Sequence, residues 1–115
     1  MWEIVFYETE SGAVPVQEFL DSLPRKHHAK ALRDIDVLRE YGTTLREPHV
    51  KHIDGKMWEL RIKSASDISR IFYFVPTGNG IVLLHGFVKK TRKAPAKEID
   101  TATNYLIDYQ RRSTT

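Results

Sequence analysis

The spacing of the hydrophobic residues changes along this chain, and the change limits its fold more than any other feature. Before a polar stretch at residues 43–48, Val16, Phe19 and Leu20 follow the i, i+3, i+4 spacing of a helix. After it, runs rich in Val, Ile, Phe, Tyr and Trp are separated by short turns, which is typical of strands. The two periods in one chain predict an α+β fold.

The same pattern predicts the order β-α-α-β-β-β-α and leaves open a further strand at residues 50–53. The strands are expected at residues 2–7, 57–63, 68–75 and 81–88. The first helix is expected to carry the stripe Val16, Phe19, Leu20 and Leu23, with Pro15 in its first turn. The second is expected at residues 25–41, stopped by Gly42. The last helix is expected from Pro95, with the apolar stripe Ile99, Ala102, Leu106 and Tyr109.

Short connections between the strands favour antiparallel neighbours, so we expect a mostly antiparallel sheet. A helical hairpin would cover one face of this sheet, with Leu32, Ile35 and Leu38 turned inward, and would leave the other face free. An N-terminal strand and a C-terminal helix complete the expected α+β fold. A chain of 115 residues can bury one core and is too short for two, so residues 1–115 are expected to form a single domain.

Composition excludes several kinds of site. The chain has no cysteine, which excludes disulfides, thiolate nucleophiles and zinc–thiolate sites. No apolar run approaches membrane-spanning length, and Glu3 comes too early for a signal peptide, so we expect a cytoplasmic protein. His49 and His52, followed by Asp54, have ligand-like spacing but no specified third ligand. We therefore expect neither a metal nor a cofactor.

The positive charge is concentrated in the middle of the chain. Residues 1–50 hold 6 basic and 9 acidic side chains, residues 51–97 hold 10 and 3, and residues 98–115 hold 2 and 3. The three segments therefore carry net charges of −3, +7 and −1. A phosphate backbone is the commonest partner of such a segment, and an ordinary solvated sheet face is the alternative. Charge alone does not decide between them.

Candidate functional residues lie on the predicted strands of this basic segment. Alternation along residues 57–63 places Trp58, Leu60 and Ile62 on the covered side, and Glu59, Arg61 and Lys63 on the other.

Arg70 is the only charge in an apolar run, where a guanidinium needs an acceptor or an anion; an ion pair with Glu59 or Asp67 is the alternative explanation. His85 also lies in an apolar run, where a histidine satisfied within the core is the commoner case.

The densest basic cluster is Lys89-Lys90-Thr91-Arg92-Lys93, between the last predicted strand and the last predicted helix. It can bind phosphates, or it can be only a solvated connector. Together with the strand residues it suggests metal-free RNA cleavage, in which the 2′-hydroxyl attacks the adjacent phosphate and fixed cations stabilise the charge that develops. The candidate catalytic residues are Arg61, Arg70, His85 and Lys90. The candidate RNA-binding residues are Lys56, Lys63, Lys89, Arg92 and Lys93.

Three segments together resemble the phage-derived Gp49-like branch of HigB toxins, within the RelE/ParE superfamily. They are Gly55-Lys56-Met57-Trp58-Glu59-Leu60-Arg61, Ser69-Arg70-Ile71-Phe72-Tyr73 and Leu83-Leu84-His85-Gly86-Phe87-Val88-Lys89-Lys90-Thr91. Pro95 and the pair Glu98-Ile99 also match. The resemblance extends over nearly the whole chain, because the opening strand and the helical hairpin match as well.

The resemblance implies the toxin of a type II toxin–antitoxin pair, which binds the ribosomal A site and cleaves mRNA there without a metal. Its partner would be a small helix-turn-helix antitoxin. The catalytic positions of the family carry over onto Arg61, Arg70, Lys89 and Lys90.

Some relatives use a Tyr or His near the last strand for proton transfer, whereas this chain has His85 upstream and no Tyr directly after Lys90. Two alternatives stay open: a ParE-like toxin that poisons gyrase by binding, and a degenerate toxin that only binds antitoxin.

Overall fold

The strands and helices follow the order expected from the sequence. The computed structural model describes residues 1–76, 78–89 and 95–113. Its elements are β1 (Glu3–Phe6), α1 (Pro15–Asp21), α2 (Arg25–Tyr41), a 3-10 turn (Gly42–Thr44), β2 (Val50–Asp54), β3 (Met57–Ser64), β4 (Asp67–Phe74), β5 (Gly80–Lys89) and α3 (Ala96–Ser113). The strand left open at residues 50–53 is therefore present as β2.

The strands form one sheet in the order β1-β5-β4-β3-β2. The four strands from β2 to β5 pair with their chain neighbours in antiparallel fashion, as their short connections require. β1 lies at the far edge and pairs with β5 in parallel, which is possible because the two helices and three strands intervene in the chain. The prediction of a mostly antiparallel sheet is confirmed.

The first two helices cover one face of the sheet, which we call the helix-covered face. α1 lies over β5 and α2 over β3. The buried residues of this layer include Val16, Leu20, Ala31, Ile35, Leu38, Leu60, Ile62, Ile71 and Leu83. Gly86 allows the close approach of α1, because a Cβ at this position would lie 2.4 Å from the ring of Phe19.

One expectation for this face is wrong. Leu32 is 46% exposed, and the inward stripe of α2 consists of His27, Ala31, Ile35 and Leu38. His27 can occupy the first of these positions because its Nε2 shares a 2.7 Å hydrogen bond with the Ser69 hydroxyl.

Trp58 alternates with the buried Leu60 and Ile62 as expected, yet it is 37% exposed. Its indole lines a groove of about 230 Å³ beside Gly42, where α2 ends.

The opposite face of the sheet, which we call the second face, is covered at one end by α3. Met57, Phe72, Phe74, Val82 and Leu84 pack there with Tyr7 and the predicted stripe of Ile99, Ala102, Leu106 and Tyr109. The stripe is thus confirmed, but the expectation that this face is left free is wrong for this end. A helix with such a stripe must bury it, and the apolar ends of β4 and β5 are available.

A polar contact ties the C-terminal part of α3 to the sheet. The Tyr7 hydroxyl donates a 2.6 Å hydrogen bond to Asp108 Oδ2, which also accepts from Arg112. Burial and the nearby Asp108 raise the pKa of Tyr7 to about 12, so the phenol stays protonated. Among the described residues, no helix has both the length and the apolar character needed to cross a lipid bilayer.

Candidate functional site

Strand pairing brings charged residues together at the other end of the second face. Arg61 lies opposite Arg70, and Lys51 lies opposite Glu59. Because alternate side chains share a face, Glu59, Arg61 and Arg70 lie on the side that carries Met57, Phe72 and Phe74 further along the same strands. Lys89 pairs with Ile68 and joins them from β5. We call Lys51, Arg61, Arg70 and Lys89 the cationic cluster.

The centre of this cluster is a buried ion pair. Arg70 Nη1 donates to Glu59 Oε1, and both side chains are only 3% exposed. Of the two acceptors that the sequence suggested for Arg70, Glu59 is therefore the one that binds it. The expectation of an open charged face is wrong at this point, since Glu59 and Arg70 are buried, whereas Lys51 and Lys63 are exposed and Arg61 is half-buried.

The environment of Arg70 opposes its charge only in part. Burial lowers the pKa of the guanidinium, Glu59 raises it, and neighbouring Arg61 lowers it again. Arginine keeps its proton under such conditions, so the cluster retains this positive charge. The Arg70 Nε–H is buried and has no acceptor among the described residues. A buried donor without an acceptor is unusual in a folded protein, and an incoming oxygen would satisfy it.

Lys89 is electrostatically coupled to the rest of the cluster. Burial lowers the pKa of its ammonium group, and the positive charges of Arg70, Arg61 and Lys51 lower it further, against the opposing effect of Glu59. A lysine in such surroundings gives up its proton more easily than an exposed one.

Lys51 was missed by sequence reasoning. The Asp54-Gly55 turn does not predict its position, because the pairing of β2 with β3 shifts register between His52 and Asp54, and only this shift sets Lys51 opposite Glu59.

His85 lies on the second face between the cationic cluster and α3. It pairs with Phe72, while the next residue on the same side, Phe87, pairs with Arg70. His85 Nε2 shares a 2.8 Å hydrogen bond with Glu98 Oε1, at the start of α3, and the imidazole is 17% exposed. The ring also contacts Tyr105 edge-on, with centroids 6.1 Å apart. His85 therefore has a partner, as a satisfied core histidine would, and remains accessible in part.

The other predicted RNA-binding residues fall in different places. Lys63 is exposed and, with Arg61, lines a cleft of about 340 Å³ that also includes Lys30 and Asp34. Lys56 lines the groove beside Trp58, on the helix-covered face, so the structure does not bring it to the cationic cluster. The predictions for Lys90, Arg92 and Lys93 lie outside the described residues.

Of the histidine pair considered from the sequence, only His52 contacts the β2–β3 turn, whereas His49 lies before β2 and lines the cleft beside Arg61. His52 Nε2 shares a 2.7 Å hydrogen bond with the carbonyl oxygen of Gly55, and its ring contacts Trp58 edge-on. Within residues 1–76, 78–89 and 95–113, no three His, Cys, Asp or Glu side chains are grouped closely enough to hold a metal ion.

Comparison with protein families identifies a match for this chain, whereas comparison with curated proteins does not. A family model described as "Phage derived protein Gp49-like (DUF891)" matches residues 18–106, from within α1 to within α3. The matched range contains β2 to β5, and with them the cationic cluster and the His85–Glu98 pair. Because the match extends over more than half of the chain, the protein belongs to the phage-derived Gp49-like family.

Proposed function

We propose that this protein is the toxin of a type II toxin–antitoxin system and acts as a ribosome-dependent endoribonuclease on mRNA. Membership of the Gp49-like family supports a toxin of this type. The observation that carries the nuclease proposal is the convergence of Lys51, Arg61, Arg70 and Lys89 on one end of the second face. A protein that acts only by binding another protein has no need of cations that converge in this way.

The reaction requires no metal. The 2′-oxygen of a ribose attacks the neighbouring phosphorus and loses its proton, and the 5′-oxygen of the next nucleotide leaves and gains one. The phosphorane between these steps carries more negative charge than the phosphate did. Cations held rigidly around it therefore stabilise the transition state more than the bound substrate. Arg61 and Arg70 lie on paired central strands, which hold side chains more firmly than loops do.

Proton transfer is assigned in this proposal to His85. Its hydrogen bond to Glu98 would hold the imidazole in one orientation, as a carboxylate does for the histidine of a catalytic triad. His85 pairs two positions along the strands from Arg70, which places it on the same face as the proposed phosphorane site. Lys89 is the second candidate, because burial and its cationic neighbours lower its pKa.

The remaining cations would bind the RNA backbone on either side of the cleaved bond. Lys63 is suited to this role because it is exposed beside Arg61. Lys90, Arg92 and Lys93 follow β5 in the sequence and lie outside the described residues, and they keep the roles assigned from the sequence, which are catalysis for Lys90 and RNA binding for Arg92 and Lys93. Lys56 is left outside the proposed cleavage site because it lines the groove on the helix-covered face.

The proposed partner is a helix-turn-helix antitoxin that covers the cationic cluster with an acidic or amphipathic segment. Charge complementarity of this kind speeds association and weakens with added salt. We therefore expect a small protein encoded beside this gene to bind the toxin less tightly as the salt concentration rises.

Mapping of RNA ends in cells that express this chain alone tests the proposal. We expect growth arrest, loss of translation and new 5′ ends within translated mRNA. Normal protein synthesis with an induced SOS response would instead indicate a ParE-like gyrase poison. Unaffected growth, with binding to the antitoxin retained, would indicate a degenerate toxin.

A single-turnover assay on mRNA in the ribosomal A site tests the assignment of Arg70. Arg70→Lys keeps a cation beside Glu59 but removes the guanidinium fork, so we expect cleavage to slow by about 10²-fold with little change in ribosome binding. Arg33→Lys, at an exposed position on α2, is the matched control. Lys63→Gln should instead weaken binding and reduce its salt slope by about 1. Cleavage by Arg70→Lys at the rate of the unaltered protein would show that Arg70 does not take part in catalysis.

A further inference from the structure

Glu59 is the acidic side chain that strand pairing places among the cations. It is 2% exposed, lies opposite Lys51, and binds Arg70 on the adjacent strand. A carboxylate at this place is unexpected in a site that must bind phosphate, because it repels the substrate. Its presence there needs a physical explanation.

The carboxylate has two opposite effects on an incoming phosphate. It lowers the positive potential of the cluster, which weakens the attraction of RNA. It also accepts a charge-assisted hydrogen bond from one Nη of Arg70, which fixes the orientation of the guanidinium. Because the guanidinium is planar, the directions of its remaining N–H donors are then fixed as well. The buried Nε–H, which has no acceptor among the described residues, belongs to the same rigid plane.

We propose that Glu59 is a positioning residue, which holds the Arg70 guanidinium in the orientation that meets the phosphorane at the expense of affinity for RNA. This inference rests on the proposed nuclease function. A guanidinium that is already fixed does not have to reorganise as the charge develops, and this is the condition under which a cation contributes most to the rate. Glu59 itself touches no substrate.

The inference predicts changes of opposite sign in binding and in catalysis. Glu59→Gln removes the negative charge and keeps an oxygen that can accept from Arg70. RNA binding should become about fivefold tighter, because one repulsive charge is gone. The cleavage rate constant should fall on the order of 10-fold to 100-fold, because Arg70 is held less firmly. A residue that serves only as a counter-ion would, when replaced, give tighter binding without slower cleavage.

Binding is measured on ribosomes programmed with mRNA whose A-site codon is 2′-deoxy and therefore lacks the attacking hydroxyl. Cleavage is measured in single turnover on the matching ribose mRNA. Asp67→Asn is the control, because Asp67 is exposed at the start of β4, opposite Ser64, and its replacement makes the same change in charge. It should leave the cleavage rate unchanged. Tighter binding by Glu59→Gln with an unchanged or faster cleavage rate would overturn the inference.

A second measurement needs no variant and no activity. NMR of the guanidinium groups of the unaltered protein should show slow rotation for Arg70 and fast rotation for the exposed Arg33. Fast rotation of Arg70 would mean that Glu59 does not hold it and would overturn the inference. Absence of cleavage by the unaltered protein would instead contradict the proposed function, and the NMR result would still decide whether Glu59 positions Arg70.

Discussion

The two ends of the second face both contain fully buried side chains on β3 and β4, yet these side chains differ in kind. At one end Met57, Phe74 and Val82 pack beneath α3 and are 0–3% exposed. At the other end Glu59 and Arg70 are 2% and 3% exposed, and they carry charge. Burial favours the first set, whereas it penalises each member of the second unless the two remain paired.

The comparison teaches that burial alone does not separate core from functional site in this protein. Both ends follow the same alternation of side chains along β3 and β4, so the backbone geometry does not distinguish them. The difference lies in the chemistry of the buried side chains. The apolar end needs only a cover, which α3 supplies, whereas the charged end retains a buried cation that hydrophobic residues of similar size would replace at little cost in stability. Retention of such a cation points to a role other than stability.

Loss of a large side chain from the apolar end should have the largest effect on stability. Phe74 is fully buried and contacts the ring of Tyr109 edge-on. We expect Phe74→Ala to lower the free energy of unfolding by about 4 kcal/mol, from lost burial and a residual cavity. Urea denaturation measures the change, with Ile107→Ala on the exposed side of α3 as a control within about 0.5 kcal/mol. A loss below about 1.5 kcal/mol would show that α3 covers this end only loosely.

Converting the charged end into an apolar one should break the comparison directly. Arg70→Ala leaves the Glu59 carboxylate buried without its cation, and we expect a loss of about 3 kcal/mol in the free energy of unfolding. The double variant Arg70→Met with Glu59→Met should recover most of this loss and abolish cleavage. The single variants Arg70→Met and Glu59→Met complete a double-mutant cycle, and denaturation and single-turnover cleavage of its members measure the coupling of the pair. A double variant less stable than Arg70→Ala would show that the pair stabilises the fold.

Tyr7→Phe should have the smallest of the three effects and should depend on pH. Loss of the hydrogen bond to Asp108 should cost about 1 kcal/mol at neutral pH. The folded-state pKa of Tyr7 is raised from 10 to about 12, so its stabilising contribution is present below pH 10 and is lost as pH rises from 10 to 12. Between pH 9 and pH 11 the unaltered protein should therefore lose more stability than Tyr7→Phe. Equal losses in the two proteins would contradict this role of Tyr7.

The local sequence pattern was sufficient to predict the helices and strands, but it was not sufficient to predict the surroundings of individual side chains. The apolar stripe of α3 and the stop of α2 at Gly42 followed from spacing and residue type. Leu32 was misplaced because a polar residue, His27, occupies the inward stripe through its bond to Ser69, 42 residues away. Trp58 lies on the predicted face of the sheet but is not buried, since a groove remains beside it where α2 ends.

The sequence by itself determined the α+β class, the order of the elements, the basic middle segment and the candidates Arg61, Arg70, His85 and Lys89, because these depend on residue type and on periods of two and 3.6 residues. Only the tertiary structure decided that Arg70 binds Glu59, that Lys51 joins the cationic cluster, and that α3 brings Glu98 to His85. These contacts depend on strand register and on where a distant helix packs. Both are set by the sum of many weak interactions across the whole core, which no local stretch of sequence contains.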